Sequence, residues 1–171
     1  MNRLLHLLLF LLLLFIASGR VEAQCVACEV DPDCVSADGF PAICPSSLPA
    51  GTAGEDYEAF ITFYIPSEVT DPGSGLVATL LNVTVAGVTG LPPGIAFELD
   101  DPDGVYEPAS GQNSGCATLC GVPAFPGVFE LQINITAVVS ALGFEQTIAD
   151  GFSLSLMVLS LIHISEPTRP Y

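Results

Sequence analysis

The sequence predicts an all-β protein, an antiparallel β-sandwich entered through a disulfide-stapled N-terminal segment. Three observations carry this. Five stretches rich in Val, Ile, Phe, Tyr and Thr are separated by Gly, Pro and Asp clusters such as Asp71-Pro72-Gly73 and Asp103-Gly104. No amphipathic helical pattern follows residue 23. Six cysteines occur in a chain that begins like an exported one.

Residues 1–23 read as a cleavable secretory signal peptide: Arg3 supplies the charged start, residues 4–17 the apolar middle, and Val21-Glu22-Ala23 the small-residue cleavage site. The apolar run holds His6 and is shorter than the roughly 18 to 20 residues that span a bilayer, so it reads as export rather than anchoring. A lipoprotein signal is disfavoured, because Gln24 precedes Cys25 where a small residue is expected. The mature chain is expected to start at Gln24, to be secreted or held at the cell surface, and to keep no transmembrane span after cleavage.

Residues 24–47 form a Cys-rich lead, with Cys25, Cys28, Cys34 and Cys44 among Pro and Asp and no apolar periodicity. The sandwich is expected over residues 48–158, with strands at 57–65, 76–85, 95–99, 128–139 and 152–158. The clearest is the fourth. There Phe129, Leu131, Ile133 and Ile135 alternate with Glu130, Gln132, Asn134 and Thr136, the pattern of a strand with one face buried. Phe60 and Phe63 are expected in the core, since Tyr57, Phe60, Phe63 and Tyr64 alternate poorly for an exposed stacking face.

Residues 159–169 read Leu-Ser-Leu-Ile-His-Ile-Ser-Glu-Pro-Thr-Arg, which resembles the translation of a transposase-based sequencing adapter. Residues 159–171 are therefore expected to be an artefact, with the natural chain continuing past Val158 and with His163, Glu166 and Arg169 irrelevant to function.

Charge excludes several functions. The chain carries 3 Lys+Arg and 19 Asp+Glu, and between Arg20 and His163 there is no Lys, Arg or His. With Glu22 and Glu166 set aside, 17 acids remain over residues 24–158. Such a body cannot neutralise phosphates, so no nucleic acid is expected as partner, nor adhesion to anionic lipid through a basic patch. It has no imidazole for a Ser-His-Asp or Cys-His relay. Paired carboxylates alone can hydrolyse glycosides. Acids on the exposed turns of a small sandwich usually lack a deep cleft, however, so no enzymatic activity is expected.

The sharpest chemical feature is Glu98-Leu99-Asp100-Asp101-Pro102-Asp103-Gly104-Val105-Tyr106-Glu107. Hard cations take several oxygen ligands, and a Gly turn gathers carboxylates, so Asp100, Asp101, Asp103 and Glu107 are a weak candidate Ca²⁺ site. The run fits no EF-hand loop, and a solvated acidic turn is the plainer expectation. Glu29, Asp31 and Asp33 form a weaker second candidate. No other cofactor is expected. The cysteines Cys25, Cys28, Cys34, Cys44, Cys116 and Cys120 are expected to form three disulfides. Cys116 with Cys120 would close a small loop if the backbone bends, and the four leading cysteines have three possible connectivities. Zinc held by the leading four is the disfavoured alternative in an oxidising compartment.

Three segments carry a family resemblance. Leu48-Pro49-Ala50-Gly51-Thr52-Ala53-Gly54-Glu55-Asp56-Tyr57 resembles the opening of the immunoglobulin-like modules of bacterial secreted proteins. Gly90-Leu91-Pro92-Pro93-Gly94-Ile95 is similar to their middle motif. Gly121-Val122-Pro123 with Pro126-Gly127-Val128-Phe129-Glu130-Leu131 is similar to their closing turn and last strands. The Cys-rich lead and Gly115-Cys116 resemble more closely such modules in proteins exported by the type IX secretion system, whose C-terminal sorting domain is missing here. The resemblance spans residues 48–139, and the acidic stretch 100–113 is longer than the motif usually carries. It implies an immunoglobulin-like sandwich, no catalytic residues, and neighbouring domains of the same exported chain, or an extracellular glycan or protein, as partners. Asn82-Val83-Thr84 and Asn134-Ile135-Thr136 match glycosylation acceptors, but both fall inside expected strands of a bacterial protein and read as chance.

The expected function is thus a non-catalytic structural or binding module of a larger exported bacterial surface protein. The alternative is a calcium-assisted carbohydrate-binding accessory module of an extracellular enzyme.

Overall fold

Ten strands among the described residues build two packed sheets, as a computed structural model of the chain shows; it describes residues 25–36 and 39–161. The expected signal peptide, and the adapter-like tail beyond Leu161, lie outside the described residues. In chain order the strands are β1 (Ala42–Cys44), β2 (Gly51–Thr52), β3 (Tyr57–Tyr64), β4 (Glu68–Thr70), β5 (Val77–Thr89), β6 (Ile95–Leu99), β7 (Val105–Tyr106), β8 (Ser114–Gly121), β9 (Gly127–Ala141) and β10 (Phe144–Leu159). The smaller sheet runs β1-β3-β8-β6, and the larger runs β2-β10-β9-β5-β4 with β7 also on β5. Every pairing is antiparallel except that of β2 with β10.

The alternation legible in β9 sets the inner face of the larger sheet. Leu131 and Ile133 are buried and pair across to Leu154 and Phe152 of β10. From the smaller sheet Ile61 and Leu119 close the layer, and these side chains with Leu156 form the main core. Emptying one such position, as in Leu131→Ala, removes about 2–5 kcal/mol of stability through lost burial and the cavity left behind. A second, smaller cluster gathers Ile65, Leu80, Val83, Tyr106 and Ala137 toward the other end.

The three resemblance segments meet at one end of the sandwich, which explains their glycines. Gly94 and Gly121 adopt φ of +94° and +130° and approach so closely that a Cβ on either would strike the other segment's backbone. The Val122 N–H donates to the Gly94 carbonyl at 3.1 Å and the Ala124 N–H to the Pro93 carbonyl at 2.8 Å. The Gly54 N–H reaches the Pro123 carbonyl at 2.9 Å, and the Tyr57 hydroxyl reaches the Pro49 carbonyl at 3.0 Å.

Several expectations need correction. β8, the centre of the smaller sheet, was absent from the expected strands because Ser114-Gly115-Cys116-Ala117-Thr118-Leu119-Cys120 is built of small residues without a β-branched run. β10 begins at Phe144 rather than at 152. Its first eight residues are exposed, so no apolar alternation marks them, and the backbone ladder to β9 extends the strand. The lead contributes β1 to the sandwich and is therefore not wholly irregular. Phe60 is 43% exposed on the outer face, not in the core, whereas Phe63 is partly buried against Tyr106.

All six cysteines are paired, as Cys25–Cys120, Cys28–Cys116 and Cys34–Cys44. The loop between Cys116 and Cys120 does not form. Both lie on the extended β8, where four residues advance about 13 Å, roughly twice the Cα separation that a disulfide bridges. Alternation instead puts both on the outer face, opposite buried Ala117 and Leu119, and the lead covers that face. The Thr118 hydroxyl donates to the Val26 carbonyl at 2.8 Å between the two bridges, and the Asp31 N–H donates to Thr62 Oγ1 at 3.0 Å.

Candidate functional site

The acidic turn after β6 is locked into the fold by its own carboxylates. Asp100 Oδ1 accepts from the Tyr106 hydroxyl at 2.7 Å and from the Cys116 N–H at 3.0 Å. Asp101 Oδ1 accepts from the Asp103 N–H at 2.9 Å, and the Gly104 N–H closes the turn on the Asp101 carbonyl at 3.0 Å. Tyr106 is buried edge-to-face against Phe63, with ring centroids 4.9 Å apart and planes at 84°. Gly115 lies under this pair, with no room for a Cβ. Burial, and then the hydrogen bond to Asp100, push the Tyr106 phenol far above its ordinary range.

The turn thus spends carboxylate oxygens on anchoring. A shallow depression beside it is lined by Asp100 and Asp101 but by neither Asp103 nor Glu107. Glu107 precedes the short 3₁₀ turn Pro108–Ser110 without capping it through its side chain. In the lead, Asp31 Oδ1 accepts from the Asp33 N–H at 2.9 Å, another closed turn. Among the described residues no group of three or more His, Cys, Asp or Glu side chains is placed to hold a metal ion.

The second feature, which the sequence did not announce, is an apolar cleft of about 410 Å³ between the sheets. It arises from unequal lengths: β9 and β10 run 15 and 16 residues, whereas the facing β1 has three and β3 eight. Its floor includes Ile135 and Val139, and its mouth includes Phe40, Ile148, Phe152, Asp71 and Asp150. The expectation that a sandwich of this size lacks a deep cleft therefore does not hold. The cleft is nonetheless poor in chemistry. Its two acids, Asp71 and Asp150, are exposed, and hydrogen bonds from the Ser74 hydroxyl and the Ser74 and Gly73 N–H groups hold the Asp71 carboxyl below its ordinary range. A glycosidase acid needs the opposite shift.

An aromatic sugar platform is also missing from the outer face of β3. Phe60 and Tyr64 share that face, but Thr62 between them is buried beneath the lead.

No protein-family model matches the chain, and no curated protein matches it in sequence. Among solved structures it is similar to a protein of unknown function from Porphyromonas gingivalis W83, at 17% identity and a TM-score of 0.43, covering 75% of this chain and 51% of that one. It is similar to the sialic acid binding region of a Streptococcus sanguinis SK1 adhesin, at 16% identity and a TM-score of 0.39, covering 79% and 33%. A third is the major subunit of aggregative adherence fimbriae type I from Escherichia coli, at 11% identity and a TM-score of 0.37, covering 79% and 99%. The chain thus spans about half the length of the Porphyromonas protein it matches.

Proposed function

We propose that the chain is a non-catalytic binding or structural module of a larger exported bacterial surface protein. The observation that carries this reading is a β-sandwich held by three disulfides whose cleft between the sheets is apolar. Disulfides of this density belong to oxidising compartments. Among the described residues the cleft holds no imidazole or thiol and only two exposed carboxylates, a lining that suits binding rather than catalysis. Incubation of the purified chain with a panel of chromogenic glycosides tests this: no turnover is expected, and repeated release of chromophore, many molecules per chain, that Asp150→Asn abolishes would overturn the reading. The alternative, a calcium-assisted carbohydrate module, draws on the acidic turn, and retention of a glycan only when Ca²⁺ is present would favour it.

A further inference from the structure

We infer that the cleft and the open edge of β10 form one site for strand addition, and that the occupant is an extended partner segment with apolar residues at alternate positions and Lys or Arg beside them. The inference rests on the reading of the chain as a binding module and names the partner chemistry.

Three observations converge. The first is backbone: on the side of β10 away from β9, the described residues pair only at Val158 and Leu159, with β2. From Phe144 to Met157, every second residue therefore turns an N–H and a carbonyl outward, and apart from the Gly151 N–H, which already donates to Asp150 Oδ1 at 2.8 Å, this ladder is open to another extended chain. The second is the face that this edge borders. Ile148 and Phe152 lie on the cleft side of β10, two positions either side of Asp150, and Ile148 remains 41% exposed. Opposite them Phe40, next to β1, is 45% exposed. A strand added to β10 would place alternate side chains into this gap and cover apolar surface that neither sheet now covers.

The third is charge, which selects the occupant. Asp150 and Asp71 stand at the mouth and Glu145 on the same edge, all exposed, with no Lys or Arg among the described residues to offset them. A second copy pairing through β10 would set acid against acid, which disfavours a symmetric edge-to-edge dimer. A cationic amphipathic strand satisfies backbone, apolar face and charge together. Asp150 on the inward row also protects the edge from indiscriminate apolar pairing, as inward charges on edge strands do.

The test uses the full chain purified with its disulfides intact and a capped synthetic peptide alternating Val or Ile with Thr and Lys, titrated by calorimetry. Three control peptides accompany it: one scrambled to break the alternation, one with Glu in place of Lys, and one N-methylated at alternate amides. Micromolar binding is expected for the parent peptide, roughly tenfold or weaker for each control, with slowed amide exchange across residues 144–157. Asp150→Asn, an exposed change, should weaken the parent peptide severalfold and reduce its salt dependence. Equal binding of parent, scrambled and N-methylated peptides would overturn the proposal in favour of diffuse attraction to an acidic surface. No binding, or a β10-mediated dimer that the peptide does not disrupt, would overturn it as well. Either failure leaves the non-catalytic reading standing, since that falls only to turnover.

Discussion

The Tyr106 hydroxyl donates to Asp100 Oδ1 across 2.7 Å, and the same oxygen accepts the Cys116 N–H, so one carboxylate joins the acidic turn, the smaller core cluster and a disulfide-bearing strand. Tyr106→Phe should keep the edge-to-face packing on Phe63 and lose about 1.5–3 kcal/mol, the worth of a hydrogen bond to a charged group. Asp100→Ala should cost more, since it strands both donors. Urea unfolding monitored by circular dichroism measures both, and equal stability of wild type and Asp100→Ala would show that the turn is not anchored through this oxygen.

Alkali should unfold the protein through its tyrosines. Burial raises the Tyr57 phenol to about 12, and Tyr106 lies higher still. Their folded-state values exceed the unfolded value of 10, so their contribution is whole below pH 10 and is lost as pH rises through the folded values. Each protected phenol steepens the loss by at most about 1.4 kcal/mol per pH unit in this window. In an absorbance titration, tyrosinate from these two should appear together with loss of the β-sheet signal. Ionisation of all tyrosines near pH 10 with the fold intact would contradict their burial.

Salt should stabilise the chain, because the acids repel one another without internal cations and added ions screen them. Since Asp100 and Asp101 each give a carboxylate oxygen to the fold and no three acids are gathered there among the described residues, Ca²⁺, Mg²⁺ and Na⁺ salts at matched ionic strength should raise the melting temperature equally. A Ca²⁺-specific rise that Asp103→Asn removes would restore a calcium site at Asp100, Asp101, Asp103 and Glu107.

The lead should depend on its bridges. Alkylation without reduction should label no cysteine, and peptide mapping should recover Cys25–Cys120, Cys28–Cys116 and Cys34–Cys44. Replacing Cys28 and Cys116 together by Ser opens an 88-residue separation and should cost about 2–5 kcal/mol. Recovery of a Cys116–Cys120 peptide would contradict the extended geometry of β8.

The hairpin between β9 and β10 turns through Leu142 and Gly143, with φ of 51° and 80°. Leucine in this left-handed region costs roughly 1–2 kcal/mol, and Asn-Gly is the favoured pair for such a turn. Leu142 is also 80% exposed, so Leu142→Asn should stabilise the protein by up to about 1 kcal/mol. A lower melting temperature in this variant would mean that the turn holds a different geometry.

Where burial is one-sided, sequence alone was enough. The alternation of Phe129, Leu131, Ile133 and Ile135 named β9 and its inner face, and six cysteines in a chain that begins like an exported one pointed to three bridges. Tertiary structure decided the rest, because the missing information lay between distant segments. β8 has small side chains and becomes a strand through its neighbours β3 and β6. Cys25 and Cys28 find partners only once β8 presents Cys120 and Cys116 on one face. The exposed half of β10 has no apolar period, so its ladder to β9, and the cleft beside its open edge, follow from the unequal lengths of two sheets that no local pattern records.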